Sequence, residues 1–167
     1  PAVQLIMLTP APTTGQVFDR IPALGAFKEF KISTTSNTGR RAVVGADKCA
    51  ACHDTLSLHG ANRTIVNSAG GKIDATLCTT CHNSANTDIA RRPTSGTTKD
   101  GKAEESIDFK RMIHRIHAGR DTTSGQVVIY GFGSSANVFA GEFPPGTPLN
   151  ACTVCHSDNN YYPPLPF

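Results

Sequence analysis

The chain of 167 residues contains no apolar run near the length of a membrane span, which takes about twenty residues. Its first residues, PAVQLIML, lack the basic start and the cleavage region of a secretory signal. It reads as a mature, processed polypeptide or as an excised piece of a longer one. Charge of one sign is not massed either. The formal net charge is +3, but basic residues fall in scattered pairs, Arg40-Arg41, Arg91-Arg92 and Lys110-Arg111, so the basic run or patch of a nucleic-acid interface is excluded. Methionine is scarce, with two in the chain, and cysteine has no spare copy. The length fits one domain, or one with an appended segment, and leaves no room for a second full domain.

What is there is concentrated in the cysteines. All six belong to three copies of one pattern: Cys49-Ala-Ala-Cys52-His53, Cys78-Thr-Thr-Cys81-His82 and Cys152-Thr-Val-Cys155-His156. Cys-x-x-Cys-His is the attachment site of c-type haem, because two thiols one turn apart can add to the two vinyl groups of a porphyrin while the adjacent histidine reaches the iron. Structural zinc uses paired cysteines at the same spacing, and a redox dithiol uses Cys-x-x-Cys without the histidine. An odd number of pairs, each followed at once by histidine, suits zinc poorly and gives the dithiol no reason for the histidine. The motifs therefore predict three covalently attached haems c, thiols consumed as thioethers, no disulfide, and a location outside the cytoplasm.

The six histidines repeat the count. His53, His82 and His156 belong to the motifs, and His59, His114 and His117 remain. Three haems need three second axial ligands to be six-coordinate, and the spare histidines match that need. An isolated histidine is more often a hydrogen-bonded or solvent-facing side chain; for three together the ligand reading is the stronger one. In FKRMIHRIHAG, residues 109–119, His114 and His117 lie about one helical turn apart and project the same way. Ligands of one iron approach from opposite faces of the porphyrin, so this helix must serve two haems. Phe109, Met112, Ile113 and Ile116 form its apolar stripe, the histidines border it, and Arg111 and Arg115 lie beyond. Gly119 is the expected stop, with Glu104 and Glu105 near the positive end. His59 follows Cys52 by seven residues, so on a helix it would stay on the near side of the first haem and ligate a neighbour.

The expected fold is mostly irregular, with short α-helices around a packed haem array and a few β-strands, mainly N-terminal. Residues 1–45 form an N-terminal extended or β segment, 46–160 the trihaem domain and 161–167 an extended tail. AVQLIML and GAFKEFKISTT read as β or extended around the turn signals of TPAPTTG. Short helical turns carry each haem motif, NRTIVNSAGGKIDATL is a turn-containing connection, and residues 94–101 form a polar loop. QVVIYGFG is a strand, FPPGTP a rigid turn, and YYPPLPF is held extended by its prolines. With roughly 56 residues per haem, much of the core is porphyrin and little regular structure is required.

The segments RRAVVGADKCAACHDTLSLHGANR, LCTTCHN, SIDFKRMIHRIHAG and EFPPGTPLNACTVCH, in that order from Arg40 to His156, resemble the haem-bearing segments of the OmcA/MtrC family of outer-membrane decahaem cytochromes. The resemblance implies bis-histidine haems, pentahaem domains beside β-barrel-like domains, and electron transfer to acceptors outside the cell. It implies the distal-ligand role for His59, His114 and His117. This chain departs from the family in carrying three haem motifs instead of about ten, and in Asn83-Ser84 where the family often has Asn-Pro.

Residues and resemblance together predict an electron carrier with low-spin, low-potential haems, not an enzyme, since bis-histidine ligation lacks the methionine that raises potential in many cytochromes c. A ferric haem with both propionates ionised carries −1, so three would cancel the +3 of the chain. Arg41, Arg63, Arg111 and Arg115 are candidate propionate partners. The alternative is a haem reductase with one open iron. Expected partners are other redox proteins or copies of the same chain, joined through the N- and C-terminal arms, with flavin or mineral acceptors implied by the resemblance. The expected location is the cell surface or the extracellular space.

Overall fold

The computed structural model describes residues 22–30, 32, 43–119, 123, 125–140 and 150–157. The two arms invoked for self-assembly, the TPAPTTG and FPPGTP turns and Arg41 lie outside the described residues. The chain divides into two compact units, one formed by Pro1–Leu77 with Cys152–Phe167 and the other by Cys78–Ala151.

The first unit is organised by a β-hairpin. Strand β1 (Leu56–Leu58) pairs antiparallel with β2 (Arg63–Val66), with Ser57 opposite Thr64 and Leu58 opposite Arg63. Thr64, Ile65 and Val66 are consecutive and all buried, which an exposed hairpin could not provide. β2 is covered because it has further partners. Leu24 and Lys72 bridge to Thr64 and Val66, and the Gly25 and Ile73 amides donate to the Thr64 and Ile65 carbonyls at 2.9 Å each. Ala46, Ala75 and Leu77 complete a small apolar interior. A β-carbon on Gly25 would stand 2.5 Å from Leu77 Cδ2, so glycine is what lets the N-terminal segment approach. Helix α1 (Ala46–Ala50) carries Cys49, and α2 (Thr76–Thr79), whose first turn is held by Asp74 accepting from the Thr76 amide and hydroxyl, runs on into Cys78, the first residue of the second unit.

The second unit holds hairpin β3 (Val127–Tyr130) and β4 (Ala136–Phe139), paired in register from Val127↔Phe139 to Tyr130↔Ala136. It also holds helix α3 (Phe109–His117). Residues 86–88 run antiparallel to 105–107, with Asp88 N donating to Glu105 O and Ile107 N to Asn86 O at 3.0 Å each. Asp88 and Arg92 then do for the edge of β3 what a third strand would do. The Tyr130 amide donates to Asp88 Oδ2 at 2.9 Å, and Arg92 Nη2 donates to the Val128 carbonyl at 3.3 Å. The pair thereby satisfies an otherwise open edge.

One expectation is corrected, and another is only partly covered. Most of the N-terminal segment expected to hold strands lies outside the described residues. Residues 22–30 contribute a single bridge, and the paired strands begin at Leu56, where β-branched and leucine side chains can be buried. The segment between Cys52 and His59, by correction, is not helical. The chain leaves α1 at Ala50 and runs extended through β1, so the two-turn spacing assumed for His59 does not apply. The stretch read as a connection, residues 62–77, contains β2 itself. The strand expected in QVVIYGFG and the helix expected in FKRMIHRIH both form. No helix among the described residues is long and apolar enough to cross a membrane.

Candidate haem attachment and ligand sites

Each Cys-x-x-Cys-His motif folds into the same turn. The carbonyl of its first cysteine accepts from the amide of the second at 3.2 Å and from the amide of the histidine at 2.9 Å, at Cys49, at Cys78 and at Cys152 alike. These are the three- and four-residue hydrogen bonds of one helical turn. The turn sets both thiols of a motif on one side of a short helix and sends the histidine onward. The expected helical turns are present in α1, in α2 and in the 3-10 turn Cys152–Val154.

The first unit brings two motifs together that are about a hundred residues apart in sequence. Val44 bridges antiparallel to His156, and Lys48 Nζ donates to the Thr153 carbonyl at 3.2 Å. Burial, and then the neighbouring Cys155, push the Cys49 thiol up; burial, and then Cys52, do the same to Cys155. The Val44–His156 bridge and the Lys48 bond are what hold the first and third motifs together. His59 sits at the tip of the β1–β2 hairpin, where His59, Gly60 and Ala61 all take positive φ, at 56°, 67° and 66°. Two non-glycine residues in succession around a left-handed glycine are uncommon. The imidazole is exposed at that tip.

In the second unit all three imidazoles are oriented by main-chain carbonyls. Nδ1 of His82 lies 2.9 Å from Ile107 O, Nδ1 of His114 lies 2.7 Å from Lys110 O, and Nδ1 of His117 lies 2.9 Å from Ile113 O. A carbonyl can only accept, so each Nδ1 carries the proton and the basic lone pair resides on Nε2. Bonds of this kind, from Nδ1–H to a main-chain carbonyl, orient metal-ligating histidines and fix their tautomer. Helix α3 is started by Asp108, whose carboxylate accepts from the Arg111 amide at 3.2 Å, and its Phe109 amide donates to the His82 carbonyl at 3.1 Å. Met112 is buried while Phe109, Ile113 and Ile116 are half-buried, His117 is half-buried and His114 is exposed. The apolar stripe thus turns Met112 into the interior, and the histidine pair of the helix shares a unit with His82.

The same unit contains a buried ionic cluster that the sequence did not disclose. Arg92 donates from Nε to Asp88 Oδ1 at 2.8 Å and clamps Asp100 with Nη1 and Nη2 at 2.7 and 3.1 Å, while its guanidinium lies 4.9 Å from the centre of the Tyr130 ring. Burial works to raise the Asp88 carboxyl, but the Arg92, Tyr130 and Glu105 hydrogen bonds together outweigh it and hold the group below its ordinary range. The Asp100 carboxyl is also lowered, chiefly by its hydrogen bonds from Arg92, against burial. Buried Glu105 accepts from Lys102 Nζ at 2.7 Å and pairs with Arg115 Nη1 at 3.1 Å. Spacing offered partial signals: Asp88 and Arg92 are four apart, and Asp108 immediately precedes the apolar period of α3.

Among the arginines expected to meet propionates, Arg63 is exposed and donates to Asn62 O at 2.7 Å, Arg111 is exposed, and Arg115 is engaged by Glu105. Arg115 Nε is buried without a hydrogen-bond partner among the described residues. Among the described residues no three His, Cys, Asp or Glu side chains converge on a site for one bare metal ion. The donor set fits haem c: paired thiols on one turn, a histidine following each pair, and imidazoles with the lone pair on Nε2.

The family model described as outer membrane cytochrome MtrC/MtrF-like, domains II/IV, matches residues 41–164. Comparison with curated proteins and with solved structures gives no match. The matched span covers all three motifs and all six histidines, and the chain belongs to this family.

Proposed function

We propose that this MtrC/MtrF-like outer membrane cytochrome carries three covalently attached haems c, each held by two histidines, and conducts electrons between redox partners outside the cytoplasm. The observation that carries the reading is the threefold repetition of one backbone turn at Cys49, Cys78 and Cys152, with the same pair of hydrogen-bond lengths each time. Family membership supports it. In this reading Cys49 with Cys52, Cys78 with Cys81, and Cys152 with Cys155 form the thioethers. His53, His82 and His156 are the adjacent axial ligands, and His59, His114 and His117 the distal ones.

Haem supplies one-electron redox chemistry at iron, and the polypeptide supplies spacing, ligand orientation and local charge. The carbonyls of Ile107, Lys110 and Ile113 hold the proton on Nδ1 of their histidines and leave the lone pair on Nε2, the atom that would hold a haem iron. A second histidine on each iron would leave no open coordination position, which would favour conduction over substrate chemistry. Because His114 and His117 lie on the same side of α3, they would hold two different haems as neighbours. The adjacency of the first and third motifs within the first unit likewise sets two haems close together. Cell-surface partners, whether redox proteins, flavins or minerals, are those the family implies.

Intact-mass measurement under denaturing conditions, combined with thiol alkylation, tests the attachment. The expected result is the polypeptide plus three haems with no alkylated cysteine. Fewer haems, or free thiols in any motif, would overturn it.

A further inference from the structure

The charged groups around α3 do more than fasten it. Glu105 is buried, yet two cations share its carboxylate: Lys102 at 2.7 Å and Arg115 at 3.1 Å. The three formal charges leave one positive unit. Arg115 lies on α3 directly after His114 and two residues before His117. The backbone of Glu105 belongs to the same short ladder that ends at Ile107, whose carbonyl holds His82. Glu105 is therefore connected to both kinds of histidine in the second unit, through its side chain to the α3 pair and through its main chain to His82.

We infer that Glu105, with Arg115 and Lys102, is a potential-setting cluster for the haem or haems ligated by the second unit, a role resting on the ligand assignment proposed above. Reduction adds one electron to a ferric haem, so a nearby positive charge favours the reduced form and a nearby carboxylate opposes it. In a partly buried site these effects are weakly screened. Arg115 Nε–H, buried without an acceptor among the described residues, has the chemistry to meet a propionate, which would couple the cluster to the porphyrin directly. Glu105 is thus a positioning residue that fixes where the Arg115 charge sits and how much of it the haem feels.

The test is spectroelectrochemical titration of the haem-loaded full chain and of Glu105→Gln, Arg115→Gln and Lys102→Met, with low-spin EPR signals recorded for each. Removing Glu105 should raise the potential of at least one haem, and removing Arg115 should lower it. Each shift should be about tenfold in the one-electron reduction equilibrium, or 59 mV. Lys102 is partly exposed, and its loss should lower the potential by less while leaving the fold intact. Shifts of opposite sign with low-spin signals retained support the inference. Shifts of one sign accompanied by a high-spin signal would reduce the pair to a mechanical fastening and overturn it, as would unchanged potentials in the Lys102 and Arg115 variants. If the unsubstituted chain already shows a high-spin haem, the ligand assignment fails first, and the cluster is not to blame.

Discussion

The two units solve the same problem with different materials. The first carries two haem motifs and buries a small, neutral interior: Ala46, Ile65, Val66, Ala75 and Leu77 around Thr64. The second carries one motif and buries Asp88, Arg92 and Glu105, the buried charges found among the described residues. The second unit has an apolar interior as well, made by Met112, Val127, Val128 and Tyr130, so what sets it apart is the buried charge. Where a single motif must be placed against a helix with two further histidines, a network of ion pairs and carbonyl bonds fixes the elements. Buried ion pairs are a costly way to gain stability but a geometrically specific one. Specific geometry is what a haem ligand set requires.

The largest effect should come from breaking the clamp. Arg92→Met leaves Asp88 and Asp100 buried without their partner, and it should destabilise the second unit by about 3–5 kcal/mol. Hydrogen exchange of the holoprotein should show faster opening in β3 and α3 while β2 is unaffected. Equal loss in β2 would erase the distinction between the units.

Acid should act next, on the same cluster. Asp88 and Asp100 have folded values depressed below their ordinary 3.8. Their contribution is fully present above that value and is lost as pH falls through the lower folded values. Protection of second-unit amides should hold down to about pH 4 and fall below it, ahead of the first unit. A loss already under way near pH 6 would contradict the assignment.

Steric and backbone changes are smaller and fall on opposite sides of the comparison. In the second unit a β-carbon at Gly119 would stand 2.5 Å from the Phe139 carbonyl oxygen. Gly119→Ala should therefore cost about 1–3 kcal/mol and shift the second unit's thermal transition downward. In the first unit Ala61→Gly should relieve the positive φ at the hairpin tip and stabilise by about 0.5–1 kcal/mol. Exchange of the Asn62 amide, bonded to Leu58 O at 3.2 Å, checks that gain. A loss would mean the tip is not strained.

Much of this was legible where chemistry is local. The three motifs fix their own turn, and the apolar spacing of Phe109, Met112 and Ile116 gives α3. Val127–Tyr130 reads as a strand from its β-branched and aromatic residues. His59 was misplaced because seven residues suit two helical turns equally well on paper, whereas Leu56–Leu58 finds its partner in β2, beyond the hairpin tip. The ionic cluster was hidden in and around the stretch 94–101 that read as a polar loop, which holds Asp100 alone of its members. Asp88, Arg92, Asp100 and Glu105 look solvated until the chain folds back and β3 removes them from water, and no local periodicity encodes that return. The proposed ligand set comes from a count, six histidines for three Cys-x-x-Cys-His motifs, while the Nδ1 bonds that orient three of the histidines depend on carbonyls that only the folded backbone supplies.

The central claim is that every iron has two histidines. Low-temperature EPR of the oxidised, as-purified protein tests it most directly, alongside His59→Ala, His114→Ala and His117→Ala. The account predicts three low-spin haems and no high-spin signal in the unsubstituted chain, with one haem turning high-spin in each variant. A substantial high-spin signal before any substitution would contradict it, and the reading of an open iron that binds substrate would take its place.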